Sequence, residues 1–328
     1  MKIALDAMGS DARPVPDVEG AVQAAREFGI TVMLVGDQDK IKTELAKYNT
    51  QGLDLPVVHA QDEIAMTEHV EAVKAKKGAS MNIAVRLVKQ KEADAVVTAG
   101  NSGAAMAASL FGLGRIRGIE RPALGSIYPT ATGRCFLLDI GANTEVKPDY
   151  LYQFAIMGSA YAQRVMGVSS PRVALLSNGE EEGKGPIVVR EAFELLKKSK
   201  LNFVGNVEGK DVPRGAADVV VSDGYAGNIV IKLSEGLAET LVGFIKAEIK
   251  KRPVAIAGAA LAKPAFDALK VRLDYAEFGG AILLGVDGVS IIAHGRSNAK
   301  AIKNAIRVGK QAVENNMLET IRTGLTAL

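Results

Sequence analysis

Short apolar runs rich in Val, Ile and Leu alternate with longer amphipathic stretches along this chain, and that alternation constrains the fold more than any other feature. The runs are Ile3 to Leu5, Thr31 to Val35, Val57 to Val58, Ala93 to Thr98, Phe136 to Ile140, Arg172 to Leu176, Phe203 to Val204 and Val219 to Val221. Helical patterns lie between or after them, at Val18 to Phe28, Met81 to Lys91, Asp149 to Val165, Ile187 to Lys198, Ile229 to Lys250 and Asn298 to Ile321. Strands separated by helices are βα units, which build a mainly parallel sheet covered on both faces. With no repeat or low-complexity linker in view, the expectation is one α/β unit over residues 1–328, with a helical excursion at about 229–275.

Composition removes several function classes. The chain of 328 residues is 48% hydrophobic and 23% charged, so it can bury a core and is not disordered. Its net charge of +3 is too small to imply a nucleic-acid partner. One Cys and three His exclude an internal disulfide and leave little material for zinc, so no metal is expected. The opening MKIALDAMG lacks the apolar core of a signal peptide, and no apolar run approaches a membrane span. A cytoplasmic location is expected, with a peripheral position on the membrane still open.

Small and polar residues gather where the strands end: Asp6, Gly100-Asn101-Ser102-Gly103, Asp139 with Gly141-Ala142-Asn143, Asn178-Gly179-Glu180, Asn206, Asp223-Gly224 and His294-Gly295. Ligands of open parallel sheets sit at those ends, although Gly, Asn and Asp are also ordinary turn formers. Asn101-Ser102-Gly103 joins a strand to a helix and reads either as an anion cradle or as a plain N-cap. Asp223-Gly224-Tyr225-Ala226-Gly227-Asn228 repeats that pattern, with Gly227-Asn228 expected to begin the long helix. Two such loops at one sheet edge would suit a phosphate with a longer arm.

Near misses weaken other cofactor chemistry. Gly179 to Gly185 has three residues between its first two glycines and no Ser or Thr after Lys184, so it is not a P-loop; Gly112 to Gly118 misses the dinucleotide fingerprint and follows a helix. No cofactor is expected. Cys135 opens an apolar strand and reads as structural, and no His lies in a triad motif, so direct transfer between two bound substrates is favoured over a covalent intermediate. Within the excursion, Lys246, Lys250, Lys251, Arg252, Lys263, Lys270 and Arg272 accompany Val254, Ala257, Leu261, Phe266, Leu269 and Leu273. That pattern suits an acidic protein or anionic lipid, a dimer interface, or core packing with a solvated basic face.

Taken in order, Asp6-Ala7-Met8-Gly9-Ser10-Asp11, Ala99 to Ala104, Gly114-Arg115-Ile116 with Arg121-Pro122-Ala123, Leu138 to Asn143 with Lys147-Pro148, Gly179 to Gly185, Ser222 to Asn228, Phe278 to Ala281 and His294-Gly295 resemble the bacterial phosphate acyltransferase family PlsX. The resemblance spans nearly the whole chain. It departs at Ser10-Asp11-Ala12-Arg13-Pro14, where the family carries Gly-Asp-His-Ala-Pro, and at Pro186.

The resemblance implies a three-layer α/β/α sandwich similar to isopropylmalate dehydrogenase and phosphotransacetylase. It implies an acyltransferase that makes acyl-phosphate from acyl-(acyl-carrier-protein) and inorganic phosphate for phospholipid synthesis, working as a homodimer. A helical protrusion would touch the membrane, where a glycerol-3-phosphate acyltransferase would take the product. For such chemistry the candidate phosphate-binding residues are Asn101, Ser102 and Gly103; Lys147 or Lys184 is the cation, Asn143 or Asn228 the amide donor, and Asp223 and His294 the groups for proton handling. Alternatives are a short-chain phosphotransacylase using acyl-coenzyme A, a non-catalytic carrier-protein or membrane binding module, and, third, a nicotinamide dehydrogenase.

Overall fold

Alternate residues of each apolar run point to opposite faces of one sheet. Ile3 and Leu5 of β1 (Lys2–Asp6) enter one core and Ala4 the other, the period of two that a central strand imposes. The computed structural model describes the backbone of residues 1–326 and their side chains other than those of 270–273, 275 and 326. The remaining strands are β2 (Thr31–Gly36), β3 (Val57–His59), β4 (Ala95–Thr98), β5 (Ala123–Thr130), β6 (Gly133–Leu138), β7 (Val173–Leu176), β8 (Phe203–Val207), β9 (Val219–Val221), β10 (Ala281–Leu284) and β11 (Val289–Ile292). They form a single sheet in the order β3-β2-β1-β4-β11-β10-β5-β6-β9-β7-β8.

Helices cover both faces, giving a three-layer α/β/α sandwich. They are α1 (Val15–Phe28), α2 (Gln38–Leu45), α3 (Ala72–Ala75), α4 (Ser80–Lys89), α5 (Ser102–Leu113), α6 (Pro148–Arg164), α7 (Ile187–Lys197), α8 (Gly224–Lys250), α9 (Pro253–Leu261), α10 (Lys263–Leu273), α11 (Tyr275–Phe278), α12 (Ala299–Glu314) and α13 (Met317–Thr326). On one face α1, α6, α7, α12 and α13 share a continuous core with Leu5, Val97, Leu138 and Val221. On the other, α4 and α5 pack on Ala4 and Val96, and the first turns of α8 pack through Val230 and Ile231 beside Leu137 and Val220. Each fully buried Ile, Leu or Phe contributes roughly 1.5–3 kcal/mol.

Seven neighbouring strand pairs are parallel and three antiparallel. The antiparallel pairs are β11/β10, β10/β5 and β5/β6, and their position is decisive. Three reversals lie between β4 and β6, so the block β3-β2-β1-β4-β11 runs opposite to the block β6-β9-β7-β8. This corrects the expectation that the Gly100 and Asp223 loops share one sheet edge: β4 and β9 point in opposite senses. The reversing strands β5 and β10 were not expected from the sequence. Gly125, Ser126 and Pro129 interrupt the apolar pattern of β5, and direction is set by the paired neighbour, not by local pattern.

The excursion consists of α8, α9, α10 and α11. Helix α8 begins earlier than expected, at Gly224, because the Asp223 carboxylate caps it. Lys270, Arg272 and Leu273 lie outside the described side chains. The last helical pattern is two helices, α12 and α13, parted at Asn315 and Asn316, the latter with φ +51°.

Candidate active site

Three parallel neighbours, β6, β9 and β7, release their carboxyl ends side by side, and five of the expected site residues follow them. Asn143 and Lys147 lie between β6 and α6, Asp223 and Asn228 at the junction of β9 and α8, and Lys184 between β7 and α7. Asp139, fully buried, organises the first of these connections. Its Oδ1 accepts from the amides of Leu124, Gly141 and Ala142 (3.1, 3.0 and 2.9 Å), and its Oδ2 from Asn143 N and Nδ2 (2.7 and 2.9 Å). Burial raises its pKa, and these donors pull it back.

The loop then grips α8. Asn143 O accepts from Gly224 N (2.7 Å), and Ser222 Oγ donates to Asp139 O (3.0 Å). A Cβ on Gly227 would stand 1.9 Å from Asp139 O, so only glycine permits this approach. Asp223 Oδ1 accepts from Ala226 N (2.7 Å), making it the helix N-cap. The carboxamide of Asn143 is spent on Pro122 O and Asp139. By contrast, half-buried Asn228 makes no side-chain hydrogen bond among the described residues. Lys184 is exposed, its stem lies against Gly179, and its ammonium meets no carboxylate among the described residues.

The remaining four expected residues belong to the opposed block, after the adjacent strands β4 and β11. Asn101 caps α5, accepting from Ala104 N (3.0 Å) and donating to Met66 O and Glu68 O (2.8 and 3.1 Å). Ser102 is exposed with its hydroxyl unengaged among the described residues. Its amide and that of Gly103 precede the helical hydrogen-bond ladder and are open to an anion. Behind them, Asp6 takes hydrogen bonds from Ser80 Oγ (2.6 Å) and Thr98 Oγ1 (2.7 Å) and ties β1, α4 and β4 together. His294 Nδ1 accepts from Arg296 N (3.3 Å), which leaves the proton of the neutral ring on Nε2. Desolvation, then the charge of Arg296, hold this imidazole below the ordinary histidine range.

Helix α8 connects the two groups. It starts beside Asn143, Lys232 and Glu235 act electrostatically on His294, and Glu239 pairs with Arg296 (3.8 Å). From Asn228 to Lys232 is four residues, about 6 Å of helical rise. Helix α8 is thus held at its start by the Asp139 to Asn143 loop and faces His294 and Arg296 with Lys232, Glu235 and Glu239 further along. No hydrogen bond or ion pair among the described residues directly joins Asp223 or Lys184 to His294.

Two polar groups were not singled out as site residues from sequence: Ser177 Oγ and Asn206 Oδ1, at the ends of β7 and β8, are buried without a hydrogen-bond partner. Ser177 Oγ would lie 2.9 Å from a Cβ on Gly185, so it sits beside the Lys184 loop. The turn Asn178-Gly179 next to Ser177 was the only signal for it. Glu180, Glu208 and Asp211 bring carboxylate oxygens within 4.8 Å of one another. Lys210 pairs with both Glu180 and Glu208, and Arg214 with Asp211 (3.2 Å). Cys135 is fully buried on β6, with its thiol pushed up to about 12 by desolvation.

Comparison with known proteins agrees with this architecture. The chain is 53% identical over 318 residues to a phosphate acyltransferase of Geotalea uraniireducens, covering 97% of this chain and 92% of that protein. It is 51% identical over 329 residues to a phosphate acyltransferase of Pelotomaculum thermopropionicum, covering 100% and 96%. A phosphotransacetylase structure from Streptococcus pyogenes shares the fold, with a TM-score of 0.62 at 20% identity over 96% of this chain and 94% of that one. The family described as "Fatty acid synthesis protein" matches residues 1–320. The chain belongs to that family, the phosphate acyltransferases that its motifs resemble.

Proposed function

We propose that this protein transfers an acyl group from an acyl-(acyl-carrier-protein) thioester to inorganic phosphate, releasing acyl-phosphate for phospholipid synthesis. The observation that carries the reading is that β6, β9 and β7 end side by side, with the β6 connection held to the start of α8 and with the Lys184 ammonium and the Asn228 amide unengaged among the described residues. A phosphate oxygen bonds to the thioester carbonyl carbon, and the carbonyl electrons move to oxygen. That oxyanion collapses, the carbon–sulfur bond breaks, and the electron pair leaves on sulfur. Lys184 neutralises the dianion, and Asn228 donates to the oxyanion. Ser102 and the amides of α5 hold phosphate, and neutral His294 donates an Nε2–H hydrogen bond to the departing sulfur, which leaves as the thiolate and takes its proton from solvent. Asp223 acts by positioning the amides of α8. Phosphate is already anionic at neutral pH, so no strong base is required.

Phosphate-dependent consumption of the thioester, with product trapped as a hydroxamate by hydroxylamine, tests this directly. A thioester left intact at saturating phosphate would sink it. If acyl-coenzyme A outperforms the carrier-bound donor, the protein is instead a short-chain phosphotransacylase. Binding to carrier or vesicles without turnover would make it a positioning module.

The excursion supports two partners. Leu233, Leu237, Leu241 and Phe244 are each at least 50% exposed and recur along one face of α8, which suits a second copy of this chain. Val254 and Leu261 of α9 are each 86% exposed, and no helix among the described residues is long and apolar enough to cross a membrane. A peripheral contact with the membrane fits that apolar tip. Its basic face is partly neutralised: Lys251 and Arg252 pair with Glu248, and Lys263 with Asp267, while Lys246 and Lys250 have no carboxylate partner among the described residues.

A further inference from the structure

A cleft of about 660 Å³ opens on the far side of the Asp139 to Asn143 loop, lined by Leu110, Arg115, Glu120, Arg121, Pro122 and Tyr150. Its wall is the connection from α5 to β5, and that connection is braced along its length. Positive φ at Gly114 (+84°) and Gly118 (+94°) turns the chain, Arg115 bridges Val286, and Ile116 N donates to Gly285 O (3.0 Å). Gln153 of α6 holds it from outside, accepting from Glu120 N (2.9 Å) and donating to Gly118 O (3.2 Å). Arg115 Nη1 donates to Glu120 O, which orients its guanidinium.

Arg121, unlike Arg115, is not consumed by the fold. Arg121 is exposed and makes no ion pair or hydrogen bond among the described residues, and the Tyr150 hydroxyl likewise has no partner there. Lys147 Nζ stands 5.9 Å from the centre of the Tyr150 ring. Two guanidinium groups and an ammonium thus surround a single carboxylate, Glu120, so the cleft is electropositive. Guanidinium forks match the oxygens of a phosphate ester better than any other side chain does. Through Pro122 O, which accepts from Asn143 Nδ2 (2.8 Å), and Asn143 O, which accepts from Gly224 N (2.7 Å), the cleft shares a wall with the first turn of α8.

We infer that this cleft is a second oxyanion site, which holds the phosphate ester on the thiol arm of the acyl donor, while the phosphate that becomes acylated is held elsewhere. The identity of the ligand rests on the acyl-transfer reading. A thiol arm anchored at Arg115 and Arg121 reaches past Asn143 to present its thioester to Lys184 and Asn228.

Titration calorimetry on the full chain with phosphopantetheine, pantetheine and inorganic phosphate tests this without turnover. Wild type is expected to bind phosphopantetheine at least about 10-fold more tightly than pantetheine, the worth of one charge-assisted hydrogen bond. Arg121→Ala should erase that difference, Arg121→Lys restore part of it, and neither should change the melting temperature, since Arg121 is exposed. In turnover, Arg121→Ala should raise KM for the donor and leave KM for phosphate unchanged. Equal binding of the two arms by wild type, or discrimination retained in Arg121→Ala, overturns the inference. A raised KM for phosphate overturns it as well, because the cleft would then hold the acceptor. Phosphopantetheine binding with no thioester consumed would count against acyl transfer alone and leave the cleft as assigned.

Discussion

Asp139 shows how a residue with no expected chemical role governs those that have one. Its carboxylate takes four hydrogen bonds from the Gly141 to Asn143 loop and one from Leu124 of β5, so Asp139→Ala leaves several buried donors unpaired and is expected to cost about 3 kcal/mol or more. Chemical denaturation would show this as a lower midpoint, with turnover lost in step. Lys184→Ala belongs to the other class. The side chain is exposed and unpaired, so stability should hold while kcat falls about 10²- to 10³-fold, the usual size of a lost electrostatic contact to the transition state. Unchanged kcat would remove Lys184 from the chemistry. Buried Asp6, Asp17 and Asp139 have pKa values raised by desolvation above the ordinary 3.8, that of Asp17 well above. A folded chain that holds protons the unfolded chain has released loses stability as pH rises from that value through the raised ones. Asp218 acts the other way and only below 3.8: burial pushes it up, but its Arg172 partner holds it down. Asp17→Asn should therefore flatten the fall in stability as pH rises above 3.8, measured by denaturation at fixed ionic strength. An unaltered slope would mean that Asp17 does not titrate there.

At the scale of elements, the junction between the Asp139 loop and α8 sets the site. Gly227 is the point of closest approach, and Gly227→Ala would force the helix start away from Asp139 O. The expected result is a loss of about 2 kcal/mol or more with kcat reduced, because Asn228 moves with the helix. Gly236→Ala on the same helix has nothing within 4 Å of the new methyl and should be neutral or slightly stabilising. A melting temperature equal in both variants would show that the junction is not tight. The parallel strands and their following helices were legible because each carries its own periodicity: Val219 to Val221 is apolar throughout, as a strand buried on both faces must be. Strands β5 and β10 were not. Their antiparallel sense comes from pairing with distant partners, such as Leu283 with Leu124. The start of α8 was missed by a few residues because Asp223 reads equally well as a turn or a cap until its partner Ala226 N is seen.

For the whole molecule, the two opposed strand blocks explain why the candidate residues could be picked out singly but not grouped: sequence order cannot say that β4 and β9 point in opposite senses. What bridges the blocks also leaves them. Helix α8 runs 27 residues, about 40 Å, and only its first turns lie against the sheet, so its outer half with α9 and α10 forms an arm carrying two separate apolar surfaces. The stripe Leu233, Leu237, Leu241 and Phe244 lies near the body, and Val254 and Leu261 lie further along the chain. If a second copy covers the first and a lipid surface the second, changes at the two should separate. Leu237→Asp with Leu241→Asp is expected to turn a dimer into monomers in sedimentation velocity. Val254→Asp with Leu261→Asp should leave the dimer intact and abolish co-flotation with anionic vesicles, since burying each side chain is worth roughly 1.5–3 kcal/mol. Neutral vesicles should bind wild type less well, because Lys246 and Lys250 have no acidic partner in the described chain. Turnover of a soluble carrier-bound donor should be unchanged by the Val254 and Leu261 pair, because both side chains lie outside the cleft. Flotation that survives that pair would place the membrane contact away from Val254 and Leu261, and a dimer that dissociates with it would assign the tip to subunit contact.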